Sequence, residues 1–291
     1  MHINMKYYIV SIGAIFIALG IGMLVGFNLN YDQELSKQQA TIINNLDTKF
    51  ENLKSKNDKL EQDLSSLTKD YDASINYINQ NVDKLITDEL SEKNIGIIST
   101  NENNDYTKNL EDTIVKANGS VSFNISIKNN INNVNKIEEV SQKTGVELKD
   151  SKGLIEYIIE SLKSEEASIK LSYLEELGLI KVNTLNNRYL NYDSVVLAGG
   201  HDSKDGEKQF EAIDNILVNK LKEENKYILG VQQSDAKFSY VDLYAKNKVT
   251  TIDNIDEGVG KVSLVLSIKE GITGEKFGRL EGANSLLPEN K

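Results

Sequence analysis

The feature that most constrains this chain is an uncharged run of 23 residues from Tyr7 to Leu29. At about 1.5 Å per residue a helix of that length crosses a hydrocarbon layer of roughly 30 Å, and inside such a layer a lone segment must pair its own backbone groups. The run therefore reads as a membrane span. A cleaved signal peptide has a shorter apolar region that ends in small residues at an A-x-A-like site, whereas this run closes on Gly26-Phe27-Asn28-Leu29-Asn30. Lys6 stands before the run, and Asp32 and Glu34 stand after it. By the positive-inside rule the amino terminus is cytoplasmic, and everything after residue 30 lies outside the cytoplasmic membrane.

Within the span, Ala14, Ala18, Gly22 and Gly26 recur every four residues. Such a stripe lets two helix backbones approach closely, and its last pair is a GxxxG. Small residues are common in membrane helices, so the stripe alone does not decide for dimerisation. The next segment adds to it. From Leu35 to Leu85 there is neither Pro nor Gly, and apolar residues alternate at spacings of four and three. Phe50, Asn57, Leu64 and Tyr71 take heptad position a, and Leu46, Leu53, Leu60 and Leu67 take position d. A single Asn among apolar a positions favours an in-register parallel dimer. A lone helix folded back on a globular part would need a broader apolar face. Lys56 against Glu61 attracts and Lys49 against Lys54 repels, so charge does not select the partner. After Tyr71 the phase slips to Ile75, Ile78, Val82 and Leu85, as a stutter produces.

From residue 94 the pattern changes to short β-rich runs: Ile95 to Ile98, Val121 to Ile127, Ile180 to Val182, Val195 to Ala198, Tyr227 to Val231 and Val249 to Ile252. Helical periodicity separates them over Leu154 to Leu162, Leu171 to Leu177 and Phe210 to Leu221. This alternation predicts an α/β fold, an open, mostly parallel Rossmann-like or flavodoxin-like sheet behind the transmembrane helix and coiled coil. The expected division is a cytoplasmic tip and span over 1–30, a coiled-coil stalk over 31–90 and the α/β domain over 91–291.

Ligands of such sheets sit beyond the carboxyl ends of the strands. That directs attention to Ser99 and Thr100, to Gly199, Gly200, His201 and Asp202, and to Gln232 to Asp235. His201 is the sole histidine of the domain and has no identifiable second catalytic group, so it reads first as a solvated loop residue, and no enzyme is expected. Gly258-x-Gly260-Lys261 lacks the spacing of a P-loop, and Gly271, Gly274, Gly278 and Gly282 read as backbone turns. The formal charge of -11 repels phosphate backbones, which excludes nucleic acid as a partner.

The chain resembles the MctB copper-transport family. The likeness rests on Lys6-Tyr7-Tyr8-Ile9-Val10-Ser11 running into Ala18-Leu19-Gly20-Ile21-Gly22, on Val195 to Gly200, and on Val262 to Leu266, Gly274, Phe277-Gly278 and Leu286-Leu287-Pro288. Phe277 stands where the family often has Tyr. The resemblance implies copper transport or homeostasis, with copper as the metal. It also implies a second role, because actinobacterial relatives are associated with envelope growth and cell separation; the partners would then be membrane lipid, a second copy of the chain and an envelope protein.

The residues themselves are poor copper ligands. Copper(I) prefers thiolate and thioether, and copper(II) prefers imidazole and nitrogen. The chain has no Cys, two His and three Met. Met1, His2 and Met5 beside the terminal amine form the one candidate cluster, and carboxylates are too hard to select copper. One helix makes no pore, and an outer-membrane barrel requires many alternating strands of about ten residues.

Overall fold

The computed structural model describes residues 5–186, 191–203 and 205–289. Its first helix, α1, runs from Met5 to Ile86 without a break, as a segment free of Pro can. Two compact units result, 1–72 and 73–291.

The first unit consists of α1 alone. It contains the apolar stretch, the one helix among the described residues that is long and apolar enough to cross a membrane. Ala14, Ala18, Gly22 and Gly26 are exposed, and a Cβ added at Gly22 or Gly26 would meet nothing within 4 Å. Along the heptad positions, Phe50 is 69% exposed and Leu64 65%, and Leu46, Leu53, Leu60 and Leu67 are similar. The Asn57 side chain donates to Glu61 Oε1 on the same helix at 2.9 Å.

In the second unit the last turns of α1 turn inward. Ile75 and Ile86 are buried, and Ile78 and Val82 pack beside them. The sequence pattern assigned the final position of this face to Leu85, which is instead 42% exposed, and Ile86 takes its place. The compact unit therefore begins at Ala73 rather than at 91, because apolar side chains of the helix complete the domain core.

Seven strands form one sheet: β1 (Asn94–Ser99), β2 (Ser120–Ile127), β3 (Ile180–Leu185), β4 (Ser194–Ala198), β5 (Tyr227–Val231), β6 (Thr250–Ile252) and β7 (Lys276–Phe277). Their order is β3-β2-β1-β4-β5-β6-β7. Only the β2–β3 pairing is antiparallel. With edge strand β3 set aside, the first five parallel strands follow the flavodoxin-like order, and their switch point lies between β1 and β4. The sheet is thus the open, mostly parallel one that the alternation of elements predicts, with β7 as an additional edge strand.

Side chains of β4 alternate between two cores. Val195 and Leu197 face α4 (Ser151–Ser161), α5 (Ala167–Glu176), α7 (Asn215–Glu223) and α8 (Val241–Lys246). Val196 and Ala198 face the end of α1, α2 (Thr107–Lys116) and α9 (Gly258–Glu270). A strand covered on both faces reads as an unbroken apolar run, which is why these residues stand out in the sequence. The remaining helices are α3 (Val134–Thr144) and the short α6 (Gly206–Gln209).

Two glycines show what the backbone requires. A Cβ at Gly260 would lie 2.1 Å from the Asn254 carbonyl oxygen, so the first turn of α9 packs directly on the loop after β6. A Cβ at Gly278 would lie 2.0 Å from Asp253 Oδ1; that carboxylate accepts from the Arg279 and Leu280 backbone N–H groups at 2.8 Å each and pins the carboxyl-terminal segment to β6. Gly258 and Gly260 are therefore packing glycines, and the four later glycines are turns with positive φ.

Replacing Gly260 by Ala is expected to cost about 1–3 kcal/mol through overpacking, read as a lower denaturant midpoint of the full chain in detergent. Gly153→Ala, inside α4 with its nearest neighbour 3.7 Å away, is expected to leave that midpoint unchanged or raise it, for a gain in stability of up to about 1 kcal/mol.

Candidate functional site

The connections that leave the carboxyl ends of β1 and β4 run to opposite faces of the sheet, which makes this the switch point where open α/β sheets hold their ligands. Four loops meet there, after β1, β4, β5 and β6. Backbone and side-chain hydrogen bonds lace them together. Thr100 donates its N–H to the Ala198 carbonyl at 3.1 Å, and Gly199 donates to Val231 at 2.9 Å. The Tyr106 hydroxyl, buried just before α2, reaches the carbonyls of Gly199 and Val231 at 2.9 Å each. Gln232 Oε1 accepts from the Ser239 hydroxyl at 3.1 Å and from the Tyr240 N–H at 2.9 Å. Ser234 binds both oxygens of Asp256, at 2.8 Å through its N–H and 2.6 Å through its hydroxyl.

Aromatic rings fill the space beneath these loops. Phe210, Tyr240 and Tyr244 stack edge to face, with centroids 5.1 to 6.1 Å apart. The Gly-Gly turn exists because of them: a Cβ at Gly199 would meet the Tyr244 hydroxyl at 2.7 Å, and Gly200 has φ +83°. Burial raises the phenols of Tyr106 and Tyr244 well above their ordinary value, and Asp214 adds to the effect. They act as neutral donors.

His201 lies on this rim. Its backbone pairs with Phe238 in both directions, at 3.0 and 2.9 Å, and its ring Nδ1 accepts from the Ser203 N–H at 3.0 Å. Asp202 beside it is half-buried. The structure thus brings the loop from Gly199 to Asp202 against the β5 loop, and the His201 ring is oriented by Ser203.

Sequence reading overlooked Asp214. Its carboxyl is fully buried, Oδ1 accepts from Thr100 Oγ1 at 2.8 Å and from the Tyr244 hydroxyl, and Oδ2 has no partner among the described residues. A signal was present. Phe210, Asp214, Leu217, Val218 and Leu221 share one helical face, so an acid stood at an apolar position. Gln209, one turn earlier, donates to the Thr100 carbonyl at 2.6 Å.

For a metal the described residues offer little. No three His, Cys, Asp or Glu side chains converge as a ligand set among them. Met5 and Met23 are exposed, eighteen positions apart on α1, and His201 stands in the second unit. These donors make no thioether or imidazole cluster suited to copper. Met1 and His2, the rest of the candidate amino-terminal cluster, lie outside the described residues.

Comparison with known proteins gives one family. The family described as "Copper transport outer membrane protein, MctB" matches residues 2–288, nearly the whole chain. No curated protein matches it. The apolar stretch of α1 and the family description together place the chain among membrane-associated proteins.

Replacing Tyr106 by Phe should cost about 1–3 kcal/mol, because two buried carbonyls lose a shared donor. His201→Ala, which removes only a ring held by its neighbour Ser203, should stay within about 0.5 kcal/mol. Thermal melts of the two variants side by side check the contrast.

Proposed function

This chain belongs to the MctB family, and we propose that it serves copper handling as a single-span, parallel-dimeric scaffold that presents its α/β domain outside the cytoplasmic membrane. The observation that carries this reading is the seam on α1. Leu46, Phe50, Leu53, Leu60, Leu64 and Leu67 are all more than half exposed, at the four-and-three spacing that a second copy of the same helix would bury. Burying large apolar side chains contributes roughly 1.5–3 kcal/mol each before the cost of association, so six per helix are ample for a dimer. Asn57 lies within the seam. Its bond to Glu61 within one helix is one that it would exchange for its counterpart across a dimer axis.

Orientation follows Lys6 on one side of the span and Asp32 and Glu34 on the other. Neither an enzyme nor a nucleic-acid partner enters the proposal: the switch point is filled by aromatic side chains, and the surface is acidic. The family description supplies the link to copper, and the described donors favour an indirect link over an ion-conducting lumen. An envelope protein bound to the scaffold is then the partner through which copper handling and envelope growth would both be served. Direct binding at Met1, His2 and Met5 is the second reading, supported by the one sequence cluster that combines imidazole, thioether and a terminal amine.

Light scattering of the full chain in detergent should give twice the 32.5 kDa chain mass after subtraction of the micelle; a monomer at micromolar concentration overturns the scaffold. Asn57→Leu should raise the melting temperature and broaden the oligomer distribution, since the buried polar residue trades stability for register. Titration with copper(I) and copper(II), alongside the His2→Ala/His201→Ala double variant, separates the two readings. Binding no tighter than that of free carboxylates is expected. Tight stoichiometric binding lost in the variant would establish direct liganding instead.

A further inference from the structure

Asp214 closes a π-turn, Phe210–Asp214, set between α6 and α7. Such turns leave the local backbone less regularly paired than an α-helix, and they concentrate where a helix has a task beyond packing. This one joins three separate elements. Asp214 Oδ1 takes a hydroxyl from Thr100 at the end of β1 and another from Tyr244 on α8, and Gln209 ties α6 to the Thr100 carbonyl.

Among the described residues, the groups acting on the carboxyl are neutral or negative. Tyr240 and Tyr244 face it from α8 and the residues before it, and Tyr106 faces it from the start of α2. The loop carboxylates of Asp105, Asp235 and Asp256 act on the same Tyr106 phenol. No lysine, arginine or histidine is among the groups acting on Asp214. An ionised carboxylate with no exposure, served only by neutral donors, the Tyr244 and Thr100 hydroxyls and its own backbone N–H, is strongly disfavoured relative to its neutral form. The Tyr240 hydroxyl is a second buried oxygen of this cluster without a partner among the described residues.

We propose that Asp214 is a proton-operated latch over the switch point: neutral, it holds the end of β1, the π-turn and α8 together, and ionised, it releases the segment from Gly206 to Asp214. Burial is the largest cause of its titration behaviour, lifting the carboxyl from the ordinary 3.8 to about 7. Between those values the folded chain keeps a proton that the unfolded chain has lost. The latch's contribution therefore falls across that interval as pH rises, and above about pH 7 the closed form has to carry a buried charge. Release would uncover the aromatic floor and the backbone groups around Gly199, which the closed form hides.

Hydrogen exchange of the full-length protein in detergent, resolved by segment and corrected for the intrinsic effect of pH, tests the latch between about pH 5.5 and about pH 8.5. Protection of 206–214 should drop at least about tenfold at the higher pH while α4 keeps its protection, and Asp214→Asn should hold the segment closed at both. Thr100→Val removes one of the hydroxyls that tie the turn to the end of β1, and it does so most where the carboxyl is ionised, so its opening midpoint should move to lower pH. Equal protection of the wild-type segment at both values, loss of protection spread evenly over the domain, or an unchanged pH profile in Asp214→Asn would overturn the latch. Should Asp214→Asn fail to fold, the Thr100→Val midpoint decides, and an unmoved midpoint overturns it.

Discussion

The burial of the last turns of α1 against the sheet is the contact on which the α/β domain depends. Ile78, Val82 and Ile86 cover one face of the sheet, and Leu90 completes that core in the connection to β1. The connection itself is held in shape. Asp88 and Glu92 have positive φ, at 62° and 67°, and Leu90 donates its N–H to the Ala117 carbonyl at 2.8 Å. Lys116 pairs with Asp83 at 2.8 Å and Lys269 with Glu89 at 2.7 Å. Those ion pairs are partly exposed and weak singly. The apolar burial does most of the holding, and it makes the end of the long helix a core element of the domain it leads into.

That arrangement explains which parts of the fold were legible in the sequence. Strands β1, β2, β4 and β5 stood out because each is apolar on both faces or on the face that packs against a helix, and their boundaries fall within a few residues of the pattern. The end of α1 was misread by one position because heptad phase and sheet packing compete there. The slipped phase of Ile75, Ile78 and Val82 continues to Leu85, but the sheet takes Ile86. Helix α9 left no periodic signal, since it is apolar around its whole circumference and buried between the sheet and the carboxyl-terminal segment. Gly258 and Gly260 lacked the spacing of a phosphate loop and turned out to be the places where α9 touches its neighbours' backbone.

The candidate site divides in the same way. The loops beyond β1, β4 and β5 followed from the strand pattern, because the position of a switch point is a property of topology. Asp214, Gln209 and Tyr106 did not, because their importance comes from partners more than ninety residues away, such as Thr100 and Gly199. His201 attracted attention as the sole histidine of the domain. Its geometry is that of a rim residue whose ring is held by Ser203, while the buried titratable group of the site is an aspartate that its helical position alone had marked.

Copper and this fold meet only through chemistry that the chain supplies sparingly. With no Cys, the soft donors are three Met, and two of them stand exposed eighteen positions apart on one helix, with no metal-ligand cluster among the described residues. A doubly wound sheet places no demand on the metal either, since function resides in the site and not in the fold. What the fold does provide is a switch point filled by aromatic rings and laced over by hydrogen-bonded loops, where the buried Asp214 ties its own turn to the end of β1 and to α8. In the proposed latch, an acid that must lose its charge to stay buried couples opening of the switch point to the proton, through chemistry that asks for no metal ligand.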